Sequence, residues 1–214
     1  MSSLSLRTYK YYFIRGLKWA LYMIGLQCVL VLEWVLFGVD NGGDLLSYVL
    51  NMYISCGVLL LIIVNTMFSI YGPNWYDSIV LSMGARRKDI FWGEMIKQLV
   101  FIVANALVFI TVSIVFGRTE SVIYIVLAAI IGFILGPVGL IVGYSIKNYG
   151  RIVVAVIAMI CGIFGAIMSG FARTGYSIIK FPLITIPAVF VGAIVVFVLL
   201  EVWVYKLNKK CMVR

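Results

Sequence analysis

Side chains able to do chemistry are few in this chain and thinly spread. Seventeen Lys and Arg stand against eight Asp and Glu, and there is no His. Without imidazole the commonest general base and the commonest zinc ligand are both missing, which weakens hydrolase and metalloenzyme readings. The four cysteines, Cys28, Cys56, Cys161 and Cys211, show no C-x-x-C spacing, and packing is their expected role. No G-x-x-x-x-G-K-[ST] sequence occurs, so this chain is not expected to cradle ATP phosphates. There remain a few polar residues inside apolar stretches: Gln27, Glu33, Asn51, Asn65, Asn105 and Glu201. Such groups are costly in lipid and mark either a path for cargo or a hydrogen bond between helices. Glu33, Asn105 and Glu201 are the candidates for a substrate path, although no pair is spaced as a proton relay.

The densest recognition chemistry lies between residues 72 and 97. Trp75, Tyr76, Asp77, Ile79, Val80 and Met83 form a compact aromatic and apolar group, and Arg86, Arg87 and Lys88 follow as a cationic cluster. Large rings beside a dense charge suit docking of another protein. Pro73 and Asn74 suit a helix start, Trp75 to Met83 can make two or three turns, and Gly84 suits the stop.

The elements that must hold these residues are apolar. Hydrophobic residues make up 64% of the 214, charged ones 12%, and mean hydropathy is +1.14. A water-soluble domain of this size has too little interior to hide that much apolar surface, so the expected solvent is lipid. A span takes about 20 mostly apolar residues. Six runs qualify, at 17–39, 45–70, 98–116, 121–145, 152–171 and 183–205. The first continues too long for a cleavable signal.

Alternate sides of such a bundle differ sharply in charge. One side carries Arg7, Lys10, Arg15, Lys18, Arg86, Arg87, Lys88, Lys97, Lys147, Arg151, Lys206, Lys209, Lys210 and Arg214. The other holds Arg118, Arg173 and Lys180, together with Asp40, Asp44 and Glu120. Basic residues near spans stay cytoplasmic, which places both termini inside and accounts for the net charge of +9 without nucleic acid. Ahead of the first run, Arg7, Lys10, Arg15 and Lys18 fall on one side of a helix, and Leu6, Tyr9, Phe13 and Leu17 largely on another. That pattern fits an amphipathic elbow helix over 1–16, at the lipid–water boundary.

Leu81-Ser82-Met83-Gly84-Ala85-Arg86-Arg87-Lys88-Asp89-Ile90-Phe91-Trp92-Gly93 resembles the pattern that follows the second span in permeases of the type-2 ABC transporter family. The resemblance extends to the whole layout of elbow helix, six spans and long first cytoplasmic connection. It implies an all-α fold with a permease domain over 17–214 and a coupling helix at about 72–97. The coupling helix would seat Trp75, Tyr76, Asp77, Ile79, Val80, Met83, Arg86, Arg87 and Lys88 against a separate cytoplasmic ATPase. It further implies ATP and Mg on that partner rather than on this chain. A second permease copy, or a homologous permease, would complete a dimer in a bacterial cell membrane. The chain itself would be no enzyme.

Two other segments bear on that layout. The fourth run carries Gly132, Gly136, Gly139 and Gly143 around Pro137, a surface for close helix packing. The fifth carries Ala158, Gly162, Ala166 and Gly170, and the resemblance favours placing them at a subunit interface. Residues 170–187, with Arg173, Lys180, Pro182 and Pro187, are too broken for a straight span and too apolar for an ordinary loop, so a re-entrant hairpin is expected. A greasy interior favours an amphipathic or hydrophobic cargo, such as a lipid or a membrane-active antimicrobial peptide. The alternative is a six-span substrate-binding component of an energy-coupling-factor importer, whose small-residue docking motif Ala20-Leu21-Tyr22-Met23-Ile24 does not supply.

Overall fold

The computed structural model describes residues 3–38, 45–150 and 185–210, and among these every regular element is helical. In chain order they are α1 (Ser3–Gly38), α2 (Leu45–Tyr71), a π-helical turn (Gly72–Tyr76), α3 (Asp77–Ser82), α4 (Arg87–Val115), α5 (Ser121–Tyr149) and α6 (Thr185–Lys210). Four helical stretches are long and apolar enough to cross a bilayer: Ser5–Leu36, Leu45–Ser82, Arg87–Val115 and Ser121–Tyr149. An all-α membrane protein follows. The run expected as the sixth span is helical in α6, while the fifth run, 152–171, lies outside the described residues. So do Ala158, Gly162, Ala166 and Gly170, and so does the expected hairpin up to residue 184.

Two boundaries differ from those expected. α1 continues unbroken from Ser3 through residue 16 into the first apolar run, so among the described residues no break separates the expected elbow from the first span. Its 36 residues span about 54 Å, well beyond a hydrocarbon core of about 30 Å, and the surplus packs on protein. Tyr12 joins Val80, Ala85 and Ile90 in a small core of its own. Likewise the second helix does not stop at Pro73. The ring, which lacks an N–H, is absorbed in the wider π turn, and the chain passes directly into α3. From Leu45 to Ser82 the helical path measures about 57 Å, about 18 residues more than a hydrocarbon core of about 30 Å takes. The stop at Gly84 is as expected: φ is +88°, a conformation that side-chain-bearing residues avoid.

The tightest seam joins α2 to α5. A Cβ on Gly139 would lie 2.5 Å from the Thr66 carbonyl oxygen, and one on Gly143 would lie 2.6 Å from that of Ile70. Gly139 and Gly143 therefore pack backbone on backbone against α2, Gly136 faces the Gln98 side chain of α4, and the Asn65 amide closes the seam by donating to the Gly132 carbonyl at 2.8 Å. Beside it, Leu61, Phe101, Phe109 and Ile125 form the main apolar core.

Hydrogen bonds fix which helix ends meet. Arg118, after α4, donates to Ser47 near the start of α2 at 3.0 Å. At the opposite end, Lys147 of α5 donates to the Pro73 carbonyl at 3.3 Å, and the start of α4 is tied to the end of α6. There the Asn208 amide donates to the Arg87 carbonyl at 2.8 Å, while Arg87 donates to the carbonyls of Asn208 and Lys209. Asn208→Ala removes one arm of this clamp and should lower stability by about 1 kcal/mol, read as a small fall in Tm of the detergent-solubilised protein.

Candidate functional site

The helix end that gathers Lys147, Arg87 and the close of α6 also carries the connection from α2 to α4. Along it Trp75, Ile79 and Met83 recur every four residues and are 66%, 47% and 70% exposed. One apolar stripe thus faces outward from the π turn and α3. Arg86 and Lys88 are exposed just beyond it. A groove of about 310 Å³ borders the stripe, lined by Arg7, Thr8 and Tyr11 of α1 and by Val80, Met83 and Ala85.

Other residues expected at this surface are less exposed. Asp77 is buried behind the stripe, Val80 is buried at the wall of the groove, and Arg87 is engaged by the α6 carbonyls. The helical repeat accounts for Asp77, which falls on the face opposite Ile79, whereas Val80, three residues before Met83, lies on the flank of the stripe. The side chain of Tyr76 lies outside the described residues.

Asp77 anchors the stripe from behind. Tyr12 of α1 donates to its Oδ1 at 2.8 Å, and Tyr144 of α5 donates to its Oδ2 at 3.1 Å. Both phenols are buried, so α1, α3 and α5 are joined through one carboxylate. Next to it Glu94 and Lys97 form an ion pair one helical turn apart on α4. The Lys97 side chain is 0% exposed, with its ammonium 4.4 Å from the centre of the Phe68 ring. Glycines make the crowding possible: a Cβ on Gly93 would lie 2.3 Å from the Tyr12 ring, and one on Gly72 would lie 2.6 Å from the Glu94 carboxylate.

Sequence reasoning counted Lys97 among the basic residues of the cytoplasmic side and assigned no role to Glu94, Tyr12 or Tyr144. The available signal was the i,i+3 spacing of Glu94 and Lys97, which permits a pair on one helix face. Tyr12→Phe removes only the hydroxyl, leaves a buried carboxylate oxygen without its donor, and should cost about 1–3 kcal/mol in thermal unfolding.

The three substrate-path candidates do not converge. Glu33 is exposed on the last turns of α1. Asn105 is buried on α4, and its amide donates to the Phe101 carbonyl of its own helix at 2.8 Å rather than across to a neighbour. Glu201 is buried on α6. An apolar cavity of about 430 Å³ between α4, α5 and α6 is lined by residues such as Ile102, Ala106, Ile130, Phe133 and Phe197, with none of the three among them. No cluster of three His, Cys, Asp or Glu suited to a metal ion occurs among the described residues. Comparison with protein-family models, with curated proteins and with solved structures finds no match.

Proposed function

We propose that this chain is the membrane permease subunit of an ATP-driven ABC exporter, powered from the cytoplasm by a separate ATPase. The observation that carries the reading is the stripe of Trp75, Ile79 and Met83, held out along the π turn, α3 and the residue after it, and anchored behind by Asp77 to α1 and α5. An exposed aromatic and aliphatic stripe in water is unfavourable unless a partner covers it. Arg86 and Lys88 at its edge suit an acidic rim on that partner. Force applied at α3 reaches two spanning helices directly through the Tyr12–Asp77–Tyr144 bridge, which is what a coupling element requires.

In this reading the chain crosses the cell membrane six times with both termini inside, and two permease subunits work with two ATPase subunits. The apolar cavity between α4, α5 and α6 agrees with an amphipathic or hydrophobic cargo. Isolation of the tagged chain from its native membrane tests the proposal: an ATPase bearing a phosphate-binding loop is expected to accompany it. Uphill transport by the purified chain alone in liposomes would refute it.

A further inference from the structure

We propose that the apolar cavity between α4, α5 and α6 binds an amphipathic amine, whose hydrocarbon body fills the cavity and whose ammonium is held by Glu201 at the floor. This deepens the permease reading by naming a class of cargo; the role as cargo rests on that reading, whereas the binding does not. Each of the three helices carries its cavity face one turn further toward the end that holds Lys147 and Arg87. α4 lines the cavity with Ile102 and Ala106, and four residues before Ile102 stands Gln98. α5 lines it with Ile130 and Phe133, and four residues on stands Pro137. α6 lines it with Ile194 and Phe197, and four residues on stands Glu201. The Phe133 and Phe197 rings stack with centres 5.0 Å apart, and Leu140 packs with Val204, so Pro137 and Glu201 are level with each other between those two contacts. Gln98 reaches the same level, because a Cβ on Gly136 would collide with its Oε1.

The floor has hydrogen-bonding capacity that the described residues leave unused. Gln98 is 1% exposed and its Nε2 meets no acceptor; Glu201 is 9% exposed and its Oε2 receives no donor. Pro137, inside α5, has no N–H to give to the Phe133 carbonyl one turn before it. Among the described residues no Lys or Arg pairs with Glu201, and Lys97 is taken by Glu94. A carboxylate and a carbonyl so placed are unfavourable in apolar surroundings, and an ammonium answers both, with three N–H donors and a positive charge. An alcohol brings one donor and no charge, while a fatty acid brings a second negative charge. Beyond the floor the cavity, of about 430 Å³, presents apolar side chains such as Ile102, Ala106, Ile130 and Phe133, which suit a hydrocarbon body. Charge complementarity therefore selects a cationic amphiphile over a neutral or acidic one.

Photolabelling of the full chain in phosphatidylcholine nanodiscs, with no ATPase present, tests the proposal. The probe is dodecylamine carrying a diazirine near the end of its chain, the matching alcohol serves as comparison, and labelled positions are located by mass spectrometry. The amine is expected to label the cavity stretches 99–106, 126–134 and 194–197, and an excess of plain dodecylamine to suppress that label. Glu201→Gln keeps the shape of the floor and removes its charge; it should lower cavity labelling by the amine about tenfold and leave labelling by the alcohol unchanged. Val103→Trp fills the cavity without altering the floor and should lower labelling by both. No cavity label in the parent chain overturns the proposal, as does equal labelling by amine and alcohol. So does amine labelling that survives either variant undiminished. Should Glu201→Gln fail to fold, the comparison of amine with alcohol in the parent chain decides alone. Failure of an ATPase to accompany the chain leaves a positive result here standing, and a negative result here leaves the docking reading standing.

Discussion

If the chain is the proposed permease, alanine at both Trp75 and Ile79 should abolish capture of the ATPase while leaving the membrane bundle intact. These side chains are 66% and 47% exposed, so their loss opens no cavity in the fold, and stability should change by no more than about 0.5 kcal/mol. At an interface the same side chains act as anchors. Truncating an aromatic hot spot costs at least about 2 kcal/mol, roughly 30-fold in affinity, and Ile79 adds to that on the same stripe. Quantitative co-purification should show the loss, with a thermal melt of the solubilised variant as its control. Unchanged capture with an unchanged melt would remove the docking assignment. Asp77→Asn gives an informative contrast, since it disturbs the anchorage while leaving the outward stripe in place.

The largest structural effect is expected from Gly139→Val. A Cβ there lies 2.5 Å from the Thr66 carbonyl oxygen and 2.9 Å from the Ser69 Cβ, and the first of these is backbone that cannot swing aside. α2 and α5 must separate, which also lengthens the Asn65–Gly132 hydrogen bond nearby. Overpacking of this kind costs typically about 1–3 kcal/mol, and the lost hydrogen bond raises the total. The variant should show a markedly lower Tm and a loss of monodisperse protein on gel filtration. Gly25→Ala is the matching control, because an added Cβ there meets nothing within 4 Å. A Gly139→Val protein as stable as Gly25→Ala would show that the seam is not packed on backbone.

Much of the architecture was legible because lipid imposes simple arithmetic. Apolar runs of span length, separated by Gly, Pro and charge, marked α2, α4 and α5 closely, and the stop at Gly84 was readable from its residue type. The glycine stripe of the fourth run announced a close helix contact, though its partner, α2, was not announced. Along residues 72–97 the residue types were evident but their facing was not. Trp75, Ile79 and Met83 are exposed, while Asp77 and Val80 beside them are buried. Helical periodicity sets Asp77 opposite Ile79, but deciding which face is covered requires knowing what lies on each side.

Composition and charge by themselves determined that this chain belongs in lipid and that its structure is helical. They could do so because transfer of apolar surface and backbone groups into lipid depends on local residue content. Only the tertiary structure decided that Tyr12, Asp77, Glu94, Lys97 and Tyr144 share one buried cluster. Burial of a charge is a property of its surroundings, and those surroundings are supplied here by helices far apart in the chain, α1 and α5 among them.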